Sequence, residues 1–288
     1  MVSHFRIRTL VDNTVGARGL IGEHGSSIVL EVGDSSILLD CGSSRVAVFN
    51  ARRAGVDLSK VKTIVLSHGH YDHTGGLPVV LRRLAGKEVT VYAHPNALEP
   101  KYSREQDGRL RSIGMPLSAQ KIRDMGARLI VTRDPLELMP GVWTSGEIPR
   151  GSGPESVEPR FLARRNGVLE PDHIPDDQFI WAKTPSGLVV ICGCCHAGLE
   201  NSLHHAVRMS GSKRIRLVVG GLHLLKMGQE DLRKVVSGIA EYRPEMLAVG
   251  HCTGFEAMVA LSNAFPSRVI QNTAGTVIDV GETLVVSK

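Results

Sequence analysis

The stretch Ser67-His68-Gly69-His70-Tyr71-Asp72-His73 constrains this chain more than any other, because it sets four metal-ligand side chains into six consecutive residues. Before it runs Val61-Lys62-Thr63-Ile64-Val65-Leu66, whose β-branched and aliphatic content predicts a buried strand. After it come Thr74-Gly75-Gly76 and then residues 77–84, a predicted helix with Pro78 in its first turn. A strand that stops, a glycine-rich loop and a helix start place the donors at the carboxyl end of a strand, where a sheet opens onto a crevice. His68 and His70 can face one ion, and Asp72 and His73 can turn toward a second. Imidazole and carboxylate donors without thiolate suit Zn, Mn or Fe in a hydrolytic or Lewis-acid role better than a structural thiolate cage.

The rest of the composition narrows the class. With 288 residues, 42% hydrophobic and 22% charged, the chain can bury the core of an ordinary globular protein, and it is read as a single domain over 1–288. The net charge of +5 comes from scattered basic residues, which favours an anionic small ligand over nucleic acid. No stretch approaches the roughly 20 apolar residues of a membrane span, and residues 1–10 do not read as a secretory signal. Five cysteines, with Cys192, Cys194 and Cys195 crowded together, do not form a disulfide framework, so a reducing cytoplasm is the expected compartment. Oligomeric state stays open, a homo-oligomer included.

Taken in order, residues 5–11, 27–32 and 36–40 read as strands, with Gly33-Asp34 as the tight turn of a hairpin. A helix over 46–54 closes on Gly55, and residues 89–94 form a strand that ends in His94. Residues 99–116 lose periodicity and gather Lys101, Arg104, Arg109 and Arg111, which reads as a lid-like insertion able to bind an anion. A short helix over 118–126 and a strand over 128–132 follow. Residues 140–177 are polar and rich in Gly and Pro, yet strands resume at once with 178–182. The opening pattern then recurs. Leu188-Val189-Val190-Ile191 delivers Cys194-Cys195-His196 before a helix over 199–209. Residues 216–222 deliver His223, and 246–250 deliver His251 before a helix over 255–265. These elements predict mixed sheets with helices on their outer faces.

Each ion needs about four or five ligands including water, so the first loop must be supplemented. His196 and His251 are the expected additions, because each follows a buried strand and precedes a helix. His223 has the same context but fits the ligand count less well, and is expected at substrate or as a catalytic group. Glu147, after a glycine, is a further candidate carboxylate ligand. Asp72 can hold the second ion or act as base to a bridging water. Cys194 and Cys195 can offer thiolate, although an inert buried cysteine is the commoner fate.

His68-Gly69-His70-Tyr71-Asp72-His73-Thr74-Gly75-Gly76 resembles the signature of the metallo-β-lactamase superfamily, which implies a four-layer αββα sandwich with a dinuclear site at one edge of the paired sheets. Thr9-Leu10-Val11-Asp12-Asn13, Glu23-His24-Gly25, Gly146-Glu147-Ile148-Pro149-Arg150, Asp176-Asp177-Gln178, Gly193-Cys194-Cys195-His196-Ala197-Gly198 and Gly250-His251-Cys252-Thr253-Gly254 are similar to one subfamily. It is the group named after 7,8-dihydropterin-6-methyl-4-(β-D-ribofuranosyl)-aminobenzene-5′-phosphate synthase. That resemblance implies two divalent ions, with zinc first and Mn, Fe or Mg as alternatives. It also implies condensation of a dihydropterin methyl diphosphate with an aminobenzene ribofuranosyl phosphate, a step toward methanopterin. Lys101, Arg104, Arg109, Arg111 and Arg150 are then expected to bind the phosphorylated substrates. Where the superfamily carries a Gly-Asp that bridges its ions, Gly146-Glu147 and Gly193-Cys194-Cys195-His196 stand instead, and the bridging ligand is open.

Two other readings compete: a metal-dependent phosphoesterase or other hydrolase, and a non-catalytic metal-binding protein that docks on a partner through the basic segment. A nuclease is disfavoured, because no appended arm for holding RNA is visible and the positive charge is modest.

Overall fold

Along the early strands, successive side chains enter two different apolar layers. Ile28, Leu30, Ile37, Leu39 and Val65 face one layer, while Val29, Leu38 and Ile64 face the other. This two-residue alternation with both faces apolar is what a sheet covered on both sides requires. Leu188, Val190 and Val218 against Val189, Ile191, Leu217 and Val219 repeat it in the second half. The structure, a computed structural model, describes residues 1–288.

The first sheet has eight strands in the order Leu284–Ser287, Val277–Val280, Phe5–Val11, Ser27–Val32, Ser35–Leu39, Val61–Val65, Thr90–Ala93 and Arg128–Val131. The second has seven, ordered Val269–Gln271, Met246–Gly250, Ile215–Gly221, Gly187–Cys192, Phe179–Thr184, Val142–Thr144 and Glu137–Met139. Ile7, Ile28, Ile37 and Val65 of one sheet pack with Ile180, Ile191, Val219 and Ala248 of the other in a shared core. Helices Val46–Arg53, Leu77–Arg83 and Ala119–Asp124 cover the outer face of the first sheet. Helices Leu199–Ser210, Gln229–Tyr242 and Phe255–Ala264 cover the second. The fold is the expected four-layer αββα sandwich with mixed sheets.

Parallel pairing aims the functional loops. Ser35–Leu39 and Val61–Val65 run parallel in one sheet, as do Gly187–Cys192, Ile215–Gly221 and Met246–Gly250 in the other. Their carboxyl ends deliver Asp40, the His68–His73 loop, Cys194 with His196, His223 and His251. Asp40, Cys195, His223 and His251 all take positive φ, between 49 and 61°. Non-glycine residues in the left-handed region cost free energy and concentrate where a chain must re-aim side chains at a site.

Residues 99–116 are not the aperiodic loop that the sequence suggests. Lys101–Arg104 and Leu110–Ser112 are antiparallel strands that join Phe161–Arg165 and Val168–Pro171 in a third, four-stranded sheet. The alternation is hidden because the residues that Lys101–Arg104 turns inward are Lys101 and Ser103, which are polar and buried. The same sheet gives structure to the polar run after residue 140. No helix is long and apolar enough to cross a membrane.

Candidate metal centre

Asp40 organises the loop that carries the donors. Its Oδ1 accepts from the Ser67 backbone N–H at 2.7 Å, and its Oδ2 accepts from Ser67 Oγ and His73 Nδ1, both at 2.7 Å. With Nδ1 donating to a carboxylate, His73 Nε2 turns to the site. His251 is set likewise: its Nδ1 lies 2.9 Å from Asn13 Oδ1, which also accepts the Gly25 N–H, so the ring donates there. The Asp12 carboxylate accepts the His251 backbone N–H at 2.8 Å. His196 donates from Nδ1 to the Ser156 carbonyl at 3.2 Å, and its Nε2 is buried without a partner. Ser67 Oγ, having donated to Asp40, accepts from His68 Nδ1 at 2.9 Å and leaves His68 Nε2 3.0 Å from His70 Nδ1.

Two compact donor groups result. Asp72, His73, Cys194 and His251 form one, and His68, Cys194 and His196 the other; within each, the donor atoms lie within 4.8 Å of one another. His70 stands beside the second. In the first group His73 Nε2 is 3.2 Å from His251 Nε2 and 3.1 Å from Cys194 Sγ, and Asp72 Oδ2 is 3.6 and 3.5 Å from the two imidazoles. Donors held about 2.0–2.1 Å from a four-coordinate ion stand roughly 3.3 Å apart, so these spacings are those of a tetrahedral set. The orphaned nitrogen of His196 is a second sign of fit, because a buried lone pair without a partner is rare. These residues fit divalent-cation binding.

Electrostatics agree. Burial pushes His68, His70, His196 and His251 well below the ordinary imidazole range, which keeps their lone pairs free. Burial also pulls His73 down, but the Asp40 and Asp72 carboxylates outweigh it and raise this one imidazole.

A cavity of about 180 Å³ lies over the donors, lined by His24, His70, Tyr71, Asp72, Arg111, Ile113, Glu158, Arg160, Phe161, Cys194, His196, His223, Lys226 and His251 among others. It is held against the third sheet by the Tyr71 N–H, which donates to the Ile113 carbonyl at 2.8 Å. Arg111, Arg160 and Lys226 also line an adjoining surface groove with Arg104 and Arg109. Glu105 pairs with Arg111, Asp107 with Arg109, and Glu158 with both Arg160 and Lys226, so five cations stand against three carboxylates. His223 sits on the cavity wall with its ring centroid 4.1 Å from that of His196, and burial lowers its pKa.

The structure therefore brings together His68, His70, Asp72, His73, His196, His223 and His251, with Arg111 at the cavity and Arg104 and Arg109 along the groove. Three expectations are corrected. Lys101 does not face substrate: its Nζ is buried and donates to Asp172 Oδ2 at 2.6 Å and Asp176 Oδ1 at 2.9 Å. Asp176 in turn accepts the Gly69 N–H at 2.7 Å, so this cluster anchors the donor loop. Glu147, expected as a ligand, stands outside both donor groups and pairs with Arg133 at 2.5 Å and His94 at 3.1 Å. Arg150 lines a separate cleft with His204, His205 and Arg208, paired with Glu155 and donating to the Ile174 carbonyl. Sequence reasoning missed Arg160, Phe161, Glu158 and Lys226. Arg160 and Phe161 fall in a polar stretch without periodicity, and no sequence signal marked them.

Comparison with known proteins matches residues 20–189 to the model of the metallo-beta-lactamase superfamily. A 7,8-dihydropterin-6-methyl-4-(beta-D-ribofuranosyl)-aminobenzene-5'-phosphate synthase of Methanocaldococcus jannaschii is 27% identical, with 96% of this chain and 97% of the relative covered. An uncharacterized protein of the same archaeon is 31% identical over 89% of this chain and 93% of its own. Among solved structures, Tm1679, described as a metal-dependent hydrolase of the beta-lactamase superfamily, superposes with a TM-score of 0.79 at 32% identity, covering 97% of this chain and 100% of that one.

Proposed function

The chain belongs to the metallo-beta-lactamase superfamily, and from that premise we propose that it is a metal-dependent enzyme acting on a phosphorylated small molecule. The favoured reaction is the condensation of a dihydropterin methyl diphosphate with an aminobenzene ribofuranosyl phosphate. The observation that carries this reading is the continuity of the donor-floored cavity with the basic groove through Arg111, Arg160 and Lys226. The full-length likeness to the named synthase points the same way. The cavity's volume of about 180 Å³ is below the roughly 300–1,000 Å³ of a site that encloses a drug-sized ligand. A larger substrate would place its reacting end over the donors and its phosphate in the groove.

In this reading His68, His70 and His196 would hold one divalent ion, and Asp72, His73 and His251 would hold the other. Two such ions supply Lewis-acid neutralisation of the charge on a departing diphosphate. Arg111, Arg160 and Lys226 hold phosphate oxygens by charge-assisted hydrogen bonds. Tyr71 and Phe161 line the cavity wall, where an aromatic ring of the substrate could pack against them. In the condensation the arylamine nitrogen forms its bond to the pterin methylene carbon as the carbon–oxygen bond to diphosphate breaks. His223, on the cavity wall, would accept the proton that the nitrogen loses. Asp40, Asn13 and Ser156 orient the imidazoles from behind.

The likeness to Tm1679 favours hydrolysis as the second reading. One assay separates the two: diphosphate release from the dihydropterin methyl diphosphate, measured with and without the arylamine. Release only with the amine supports condensation, and release without it supports hydrolysis. Release in neither case overturns a reaction on this diphosphate.

A further inference from the structure

We propose that the Cys194 thiolate bridges the two ions, a role that rests on the two-ion reading above. Cys194 Sγ is the one donor atom common to both groups. On one side it lies 3.1 Å from His73 Nε2, and on the other it is grouped with His68 and His196. Thiolate sulfur binds zinc at about 2.3 Å, a length at which one sulfur could be shared by two ions at the roughly 3.5–4 Å spacing of two-metal sites.

The five cysteines are all buried with free thiols, but they do not share one environment. Cys41, Cys192 and Cys195 are members of the apolar cores, as inert buried cysteines are. Cys194 and Cys252 belong to no apolar core and line the cavity instead. The backbone explains the difference. Gly193 lets the strand end close on Ser67 and Asp40, where any Cβ would collide with the Ser67 hydroxyl. The left-handed turn at Cys195, with φ of 61°, then points Cys194 and His196 to the site and the Cys195 thiol toward the Ser202 hydroxyl. Cys252 completes the arrangement from outside the donor groups. Its thiol donates to Cys194 Sγ at 3.3 Å, and its sulfur accepts the His223 N–H at 3.2 Å.

Sulfur in the shared position makes the centre thiophilic. Zn, Co and Fe(II) are favoured over Mg, whose affinity for thiolate is poor.

The test is stepwise loading of metal-stripped full-length protein with Co²⁺, reading near-ultraviolet absorption and bound-metal stoichiometry. Sulfur-to-cobalt charge-transfer absorption should grow with both the first and the second equivalent in the wild type and in Cys252→Ala. Cys194→Ala should lose the absorption entirely and at least half of the bound metal. Cys194→Asp, which replaces the bridge by a carboxylate, should lose the absorption while keeping both ions. Absorption that saturates after one equivalent makes Cys194 a terminal ligand and overturns the bridge. Survival of the absorption in Cys194→Ala does the same. A wild type that binds two ions without the absorption overturns the bridge and leaves the two-ion reading standing; one that binds no ion overturns both.

Discussion

His73 and His251 point their Nε2 atoms at each other across 3.2 Å, and each has its Nδ1 engaged by an oxygen acceptor, Asp40 in one case and Asn13 in the other. Without metal, a proton on the raised His73 imidazole bridges the two nitrogens, and a divalent ion that replaces this proton binds both at once. Divalent metal should therefore stabilise the protein. At about 100 times its Kd, an ion that binds only the folded state adds about 2.7 kcal/mol. For a chain of this size that is a rise in Tm of roughly 5–10 °C. His251→Ala should lose at least half of that rise, as read by calorimetry with and without Zn²⁺.

Asp40 holds Ser67 and His73 together from the strand before the donor loop. Asp40→Asn keeps the size of the side chain, and Asn tolerates the positive φ of this position. The variant should fold, yet bind metal about 10–100-fold more weakly, because partners that orient a ligating imidazole set affinity by that much. Competition with a chromophoric chelator measures it; affinity within twofold of wild type would remove Asp40 from this role.

The buried Lys101 cluster carries a pH signature. Burial pushes the Lys101 ammonium down, but Asp176 and Asp172 together outweigh it and hold the pKa above its ordinary 10.5. A folded pKa raised above the unfolded one means that the stabilisation is complete below 10.5 and is lost as pH rises through the folded value. Urea midpoints should fall on that alkaline side. Lys101→Met, which leaves two carboxylates buried without their cation, should cost roughly 3–5 kcal/mol at neutral pH and flatten the alkaline fall.

Arg160 and Lys226 are at the cavity mouth, whereas Arg150 lines another cleft. Arg160→Ala should raise KM for a phosphorylated substrate roughly 10-fold or more, the worth of a charge-assisted hydrogen bond. Lys226→Ala should do the same, more weakly at high salt because both residues are solvent-accessible. Arg150→Ala should leave KM unchanged. An equal effect from Arg150 and Arg160 would argue against the groove as the phosphate site.

The sandwich and the donor loop were legible because their signals are local. Four donors stand in one loop, and each further histidine follows its own apolar strand. The parts that misled depend on contacts distant in sequence. Lys101 looks like a surface cation until Asp172 and Asp176, 71 and 75 residues away, enclose it. The strand that carries it shows no apolar alternation, since its inward positions are a lysine and a serine. Glu147 follows a glycine, as a ligand might, but Arg133 claims it. Cys194 and Cys195 are indistinguishable in sequence, and only the left-handed turn between Cys194 and His196 separates their directions.

The third sheet has a bearing on how such a molecule diversifies. The floor of the cavity comes from strand ends of the two large sheets, while Arg111, Ile113, Arg160 and Phe161 come from the third sheet and its borders. Floor and roof are separate stretches of chain. Substitution, lengthening or exchange of the roof segments can thus redirect the choice of substrate while every donor of the floor keeps its place.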